Sequence, residues 1–257
     1  MSNTKPAASR QEDFASDSQI LRALLEMREL LVTGAFKPGE RIREVPLAAR
    51  LNVSRIPLRL ALDRLEQEGL LTARPTGGFI AREFTVDDVR DAIELRGILE
   101  GTAARFAAEQ SEPPAALDAL RRCSDSIDRL LRRWKPGIGS FAKYVERNAQ
   151  FHALLLEAAG SPMLQRSMKA VSMLPFASAN AFVFNEAETE EGRDILSAAQ
   201  VQHRAIVESI TNREGVRAES LAREHSRLAR NNLDRAMRHQ RLTRLPGSPL
   251  IKFPHSI

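Results

Sequence analysis

The sequence has few of the residues and runs that build disulfide-linked or membrane-spanning proteins. Cys123 is the one cysteine among 257 residues, so an intrachain disulfide is impossible and a disulfide scaffold is excluded. No apolar run is long enough to cross a bilayer, and residues 1–17 lack the apolar core of a signal peptide. We therefore expect a cytoplasmic protein without a membrane partner.

Aromatic residues are also scarce, at 5% of the chain, while hydrophobic residues reach 43%. This balance favours helices with leucine and alanine cores, and the length allows two domains. The formal net charge of +5 is compatible with a polyanionic partner but does not require one. Any case for nucleic-acid binding therefore depends on where individual arginines lie.

Residues 47–66 have the pattern of two short helices joined by a tight turn at 52–54. Ser54 is suited to cap the second helix, and no acidic residue lies in the first two turns of that helix. Arg55 and Arg59 are four residues apart and share an outward face. In a helix-turn-helix the N-terminal part of the second helix enters the major groove, so we interpret this stretch as a DNA-reading element.

Two short strand-like runs, Leu70–Arg74 and Phe79–Arg82, flank a turn containing Thr76, Gly77 and Gly78. Such a pattern predicts a β-hairpin, and together with three helices it predicts a winged helix-turn-helix domain over residues 18–84. Residues 1–17 are polar and aperiodic, and we expect them to form a flexible N-terminal arm.

After Phe84 the strand pattern ends, and residues 85–242 predict six helices separated by proline and glycine breaks. One of these helices is expected to run from Met163 to Phe184. The fold class is therefore mainly α, with an N-terminal winged helix-turn-helix followed by an all-α helical bundle. Residues 243–257 contain glycine and prolines and are expected to form an irregular tail.

Three of the five histidines are placed to converge inside the bundle. Asn148 and His152 are four residues apart and share one helix face. His203 and His225 lie at similar distances on either side of a predicted turn at 212–215, so an antiparallel hairpin brings them to the same height. Three imidazoles and a carboxamide suit a divalent metal, zinc or nickel. The alternative is that each histidine is an ordinary packed core residue.

Arg96 lies on the inward stripe of the first bundle helix, where a buried charge requires a partner. In one alternative it pairs with Glu100, one helical turn further on. In the other, its two-pronged guanidinium binds the carboxylate of a small effector while the metal holds the other end. The residues alone leave both alternatives open.

Several runs of the chain closely resemble the GntR-type winged-helix repressors. The matching residues are Gly39–Glu44, Leu47, Ala48, Val53–Arg59, Leu62, Leu65 and Glu68–Leu70. The helical half resembles the effector domain, called FCD, of the FadR-like branch, and six predicted helices favour its VanR-type subdivision. The likeness extends from residue 18 to about residue 240.

The resemblance implies roles for particular residues of this sequence. It implies that the operator is contacted by Ser54, Arg55 and Arg59, and that Arg43 adds a phosphate contact. It also implies that the wing tip at Thr76, Gly77 and Gly78 contacts the minor groove or the DNA backbone. The resemblance further implies four metal ligands: Asn148, His152, His203 and His225. Aspartate is more usual where Asn148 stands. A neutral amide oxygen is a weaker ligand, and its lack of charge favours an anionic effector in the metal's shell.

We therefore predict a homodimeric, DNA-binding transcriptional regulator, acting as a repressor on a double-stranded operator. A small carboxylate effector at a metal-containing cavity in residues 85–242 is expected to control it. The alternatives are a metal-independent sensor of the acyl-CoA type and, from another class, a metal-dependent hydrolase. A metal-dependent hydrolase needs a general base near the metal, and no acidic or basic residue has a spacing from the three histidines that indicates one. This argues against an enzyme.

Overall fold

A computed structural model describes residues 7–111, 115–135, 138–174, 176–177, 180, 190–238 and 248–252. The chain divides into two compact units, one formed by residues 1–86 with 246–257 and the other by residues 87–245. None of the helices in the described part is both long enough and apolar enough to cross a membrane.

The first unit combines three helices with a small antiparallel sheet. The helices are α1 (Ala7–Val32), α2 (Glu44–Arg50) and α3 (Arg55–Gln67), and the strands are β1 (Arg41–Ile42), β2 (Leu71–Ala73) and β3 (Phe79–Ala81). In the sheet the strand order is β1-β3-β2, with Arg41 opposite Ile80 and Leu71 opposite Ala81. Helix α1 packs on α3, and the buried leucines of α3 recur at helical spacing: Leu58, Leu62 and Leu65.

Three features of this unit differ from the sequence-based expectation. Helix α1 begins at Ala7, inside the segment 1–17 expected to be a flexible arm, and β1 adds a third strand to the predicted hairpin. In the segment 243–257, expected to be irregular, a 3₁₀ turn (Ser248–Leu250) leads into β5 (Ile251–Lys252), which pairs in parallel with β4 (Phe84–Thr85). Strands this short form through partners far away in the chain, which local patterns do not reveal.

The second unit is a helical bundle, as its breaks predicted. Its described part contains six helices: α4 (Val86–Glu109), α5 (Leu117–Arg132), α6 (Ile138–Ala158), α7 (Pro162–Ser172), α8 (Glu190–Thr211) and α9 (Gly215–Arg238). Ser161 caps α7 by accepting a hydrogen bond from the Leu164 amide. This helix ends at Ser172, whereas the sequence predicted it to reach Phe184, because the proline at 175 disfavours helical geometry in the residue before it. Phe184 itself lies outside the described residues.

The bundle core forms where α8 packs on α9 and on α5, and α5 on α6. Helix α4 approaches α9 closely at two glycines. A Cβ at Gly97 would lie 2.8 Å from Ser226 Cβ, and one at Gly101 would lie 2.7 Å from Arg223 Cγ. Larger side chains would push the helices apart. This close approach holds Arg96 and Glu100 of α4 against the helix that carries His225.

Candidate nucleic-acid interface and metal centre

The turn between α2 and α3 is held by backbone and side-chain contacts. Asn52 adopts a positive φ of 48°, and Arg22 of α1 donates to the carbonyls of Leu51 and Asn52. Ser54 occupies the extended N-cap position of α3, as predicted, but its hydroxyl makes no capping hydrogen bond. The hydroxyl is therefore not used to close the helix end.

A groove of about 880 Å³ lies between the start of α3, the segment formed by β1 and α2, and the hairpin tip. Its lining brings together six of the predicted DNA contacts: Arg43, Arg55, Arg59, Thr76, Gly77 and Gly78. Ser54 lies beside the groove, at the start of α3. Two glutamates, Glu40 and Glu44, share the lining, and Arg59 Nη1 lies 3.7 Å from Glu44 Oε1. Arginines outnumber acids in this lining, which suits a phosphate backbone.

The tip of the hairpin consists of two glycines with positive φ, 87° at Gly77 and 80° at Gly78. Arg74 donates its amide hydrogen to the Gly78 carbonyl and accepts one from the Gly77 amide, which closes the turn. A Cβ at either glycine would meet nothing within 4 Å, so the backbone conformation, and not crowding, requires glycine here. The exposed backbone of the tip can approach a ligand closely.

Sequence reasoning assigned no DNA contact to three residues in or beside this groove. Arg41 of β1 and Arg50 at the end of α2 also line the groove. Ile56 follows Arg55 at the start of α3 and is 75% exposed, an unusual position for a large apolar side chain. The sequence could have indicated this exposure, because helical periodicity places Ile56 outside the stripe of apolar residues that α3 buries. An exposed isoleucine beside arginines is suited to contact thymine methyl groups.

Three histidines converge in the helical unit, as their spacing predicted. His152 on α6, His203 on α8 and His225 on α9 are all buried, and each offers a ring nitrogen within 4.8 Å of the others. The Nε2 atoms of His203 and His225 are 3.0 Å apart. Two ligands of one ion are about 3.0–3.4 Å apart when the metal–nitrogen bonds are about 2.1 Å. The donor set and its spacing therefore fit a divalent metal.

Each imidazole is also held on its outer side. His203 Nδ1 lies 3.1 Å from Gln200 Oε1, and His225 Nδ1 lies 3.0 Å from Gln202 Oε1. The Phe151 ring stacks on His203 with a centroid distance of 3.9 Å. Metal-binding histidines commonly direct their second nitrogen to such partners, which set the orientation of the ring.

Glu100 is a further site residue that sequence reasoning considered only as a partner for Arg96. Its Oε1 lies 2.9 Å from His152 Nδ1 and 3.8 Å from Arg96 Nε, and all three side chains are buried. The His152 nitrogen lies close to this oxygen but is not aligned for a hydrogen bond with it. The geometry thus contains the Arg96–Glu100 pair that the sequence left as one of two alternatives.

Burial and neighbouring charges alter the titration of this cluster. Burial lowers the pKa of His225 to about 3, and the neighbouring His152 acts in the same direction. Burial likewise lowers the pKa of His203 well below its usual value. Burial alone would raise the pKa of Glu100, but His152 and Arg96 outweigh it and lower that pKa. His203 and His225 are therefore neutral near pH 7, the form in which imidazole binds metals.

Asn148 is buried one turn before His152. Its Nδ2 donates to Asn180 Oδ1 over 2.9 Å, and Asn180 Nδ2 donates to the Val145 carbonyl, also over 2.9 Å. A carbonyl only accepts hydrogen bonds, so the Asn180 side that faces Val145 must be its NH₂ group. Its oxygen then faces Asn148, whose NH₂ group must therefore be the donor. In that orientation Asn148 Oδ1 is the amide atom that can act as a ligand.

Comparison with known families and proteins gives matches along most of the chain. Residues 91–228 match the FCD domain, and residues 19–80 match the bacterial regulatory proteins of the gntR family. The Nta operon transcriptional regulator of Aminobacter aminovorans is 36% identical over 56% of this chain, and the match spans 65% of that relative, just under two thirds. The HTH-type transcriptional repressor GlaR of Escherichia coli is 22% identical over 76% of this chain and 86% of its own length.

Two solved structures have a similar fold. McbR/YncC of E. coli superposes with a TM-score of 0.57 at 17% identity, covering 85% of this chain and 98% of that one. The Lar regulator of Listeria monocytogenes gives a TM-score of 0.56 at 18% identity, over 92% of this chain and 99% of that one. At such identities the likeness concerns the fold alone.

The buried carboxylate of Glu100 can be tested against an exposed one on the same helix. We expect Glu100→Gln to lower the free energy of unfolding by about 3 kcal/mol, since it leaves buried Arg96 without that carboxylate. Glu94→Gln is the matched control, because Glu94 pairs with Arg223 at a half-exposed site and should change the stability by less than about 1 kcal/mol. Urea unfolding followed by circular dichroism measures both; equal losses would contradict the assignment.

Proposed function

Because the chain belongs to the GntR family of bacterial regulatory proteins and carries an FCD domain, we propose that it is a transcriptional repressor. In this proposal the groove of the first unit docks on a double-stranded DNA operator. The histidine cluster of the second unit holds a divalent metal, and a small carboxylate bound there controls operator affinity. The observation that carries the proposal is the convergence of three buried imidazoles in a chain that also has an arginine-lined groove.

The groove suggests how operator DNA is bound. The start of α3 enters the major groove, where Arg55 and Arg59 bind guanine edges or phosphates. Arg43 contacts the phosphate backbone. The Ser54 hydroxyl, which is not used for capping, can also donate a hydrogen bond to a phosphate. At the other side of the groove, the Gly77–Gly78 tip approaches the minor groove or the backbone.

The surface of α4 supports assembly as a homodimer. Leu95, Ile98 and Phe106 are exposed, and their spacing of three and eight residues places them on one side of the helix. Large apolar side chains in such a stripe are typical of an interface. A dimer also matches the two half-sites of a pseudo-palindromic operator, since two recognition helices bind more tightly than one.

The charges of the cluster favour an anionic effector. Zinc or nickel would be held by His152, His203 and His225, with Asn148 Oδ1 as a fourth ligand, and the metal would offer an open coordination position there. These four donors are neutral and leave both positive charges of the ion uncompensated. Glu100 is already paired with Arg96 and does not compensate the charge of the ion, so a carboxylate effector can complete the shell.

The family argues against the hydrolase alternative, because its members are regulators and not enzymes. The acyl-CoA alternative needs no metal, and metal analysis of the purified protein separates it from our proposal. The names of two relatives support repression in particular: GlaR is named a repressor, and another relative is named a probable D-xylose utilization operon transcriptional repressor.

Operator binding can be tested with two arginines of the same helix. We expect Arg59→Ala to weaken specific binding by about 1–3 kcal/mol if Arg59 reads a base, or to reduce the salt dependence if it binds a phosphate. Arg64→Ala is the matched control, because Arg64 is equally exposed, at 57% against 59%, but lies outside the groove lining. Fluorescence anisotropy on an operator selected from genomic fragments measures both. Absence of any preferred fragment would contradict the proposal.

The metal and effector can be tested by elemental analysis and thermal shift. We expect the wild type to bind zinc or nickel and its melting temperature to rise with the metal and again with small carboxylates, since ligands of the native state stabilise it. His203→Ala should lose the metal and both shifts. Asn148→Asp should bind the metal more tightly and respond less to carboxylates, because it supplies a negative charge itself. A shift with acyl-CoA alone, in metal-free protein, would favour the alternative sensor.

The dimer can be tested by placing a charge on the α4 stripe. We expect the double variant Leu95→Glu, Ile98→Glu to be a monomer in light scattering, because charges oppose burial of the interface. Val201→Glu is the control, since Val201 is an exposed apolar residue on α8, away from the stripe. A wild type that is monomeric, or a variant that stays dimeric, would exclude this face of α4.

A further inference from the structure

We propose that Gln200 is a positioning residue that sets the tautomer of His203, so that His203 presents an unprotonated Nε2 to the metal. This inference rests on the proposed metal site and adds a residue that is not itself a ligand. Gln200 lies on α8, three residues before His203, and is 1% exposed. Its amide connects His203 to Ser124 on the neighbouring helix α5.

The Gln200 amide can be turned only one way. Its Nε2 donates to the main-chain carbonyl of Ser124 over 2.9 Å and also contacts Ser124 Oγ at 3.1 Å. A carbonyl oxygen has no hydrogen to donate, so the NH₂ side of the amide must face it. Exchanging the two ends would set two oxygens against each other in a buried site, which is strongly unfavourable.

The orientation of the Gln200 amide determines the tautomer of the His203 imidazole. With the NH₂ side committed to Ser124, Gln200 Oε1 faces His203 Nδ1 at 3.1 Å. An amide oxygen only accepts, so Nδ1 must carry the hydrogen. A neutral imidazole has one N–H, and the lone pair of Nε2 is therefore directed away from Gln200, towards His225 Nε2 at 3.0 Å. The Phe151 stack restrains the plane of the same ring.

The tautomer of His203 affects metal binding directly. Imidazole binds a metal through an unprotonated nitrogen, and the opposite tautomer would place a hydrogen where the ion must lie. Gln200 removes that competing tautomer before the metal arrives. Loss of such an outer partner typically weakens metal binding by about 10–100-fold.

The experiment combines tautomer measurement with zinc titration of the full-length protein. Long-range ¹H–¹⁵N spectra of metal-free, ¹⁵N-histidine-labelled protein report which ring nitrogen of His203 is protonated, and competition with a chelator gives the zinc affinity. We expect Nδ1–H in the wild type, and in Gln200→Met a loss of this preference with zinc binding about 10–100-fold weaker. Ser124→Ala is the matched control. It removes the hydroxyl but keeps the carbonyl, so tautomer and affinity should not change.

The outcomes separate this inference from the proposed function. An Nε2–H tautomer of His203 in the metal-free wild type overturns the inference even if the protein binds zinc. Unchanged zinc affinity in folded Gln200→Met also overturns it. If Gln200→Met fails to fold, the wild-type tautomer decides. If the wild type shows the Nδ1–H tautomer but binds neither zinc nor nickel, the role of Gln200 in setting the tautomer is supported and the proposed metal is contradicted.

Discussion

Six polar or charged side chains buried together impose the main constraint on the helical unit. They come from four helices, and they are Arg96, Glu100, Asn148, His152, His203 and His225. Buried polar groups destabilise a fold unless they find partners, and buried charges do so more strongly. The packing around the cluster provides such partners for several of its members: Glu100 pairs with Arg96 and lies against His152, and two glutamines contact the outer nitrogens of the other histidines.

Main-chain carbonyls provide the fixed reference points for this cluster. The carbonyl of Ser124 orients Gln200, and that of Val145 orients Asn180. The oxygen of each amide then determines the hydrogen-bond direction of the next group: that of Gln200 does so for His203, and that of Asn180 for Asn148. Since both carbonyls belong to the helix backbone, the directions of these four hydrogen bonds are determined by secondary structure. Such preorganisation suits a site that must bind a metal without rearranging.

The first unit uses arginine in the opposite way. Arg96 is buried and paired in the bundle, whereas Arg59 projects from α3 into an open groove. Apolar residues beneath it, such as Leu58 and Leu62, anchor the helix, and Arg59 remains largely exposed beside Glu44. Exposed arginines keep their hydration until a polyanion replaces it, and this makes them suitable for DNA.

The sequence by itself determined what depends on neighbours along the chain: the bundle helices, the α3 face carrying Arg55 and Arg59, and the matched heights of His203 and His225, which follow from helical periodicity about one turn. Only the tertiary structure decided the pairing of β4 with β5, the position of Glu100 against His152 and the link from Ser124 to Gln200. These contacts join residues 52 to 167 positions apart, and they arise from the packing of whole elements, which no local pattern encodes.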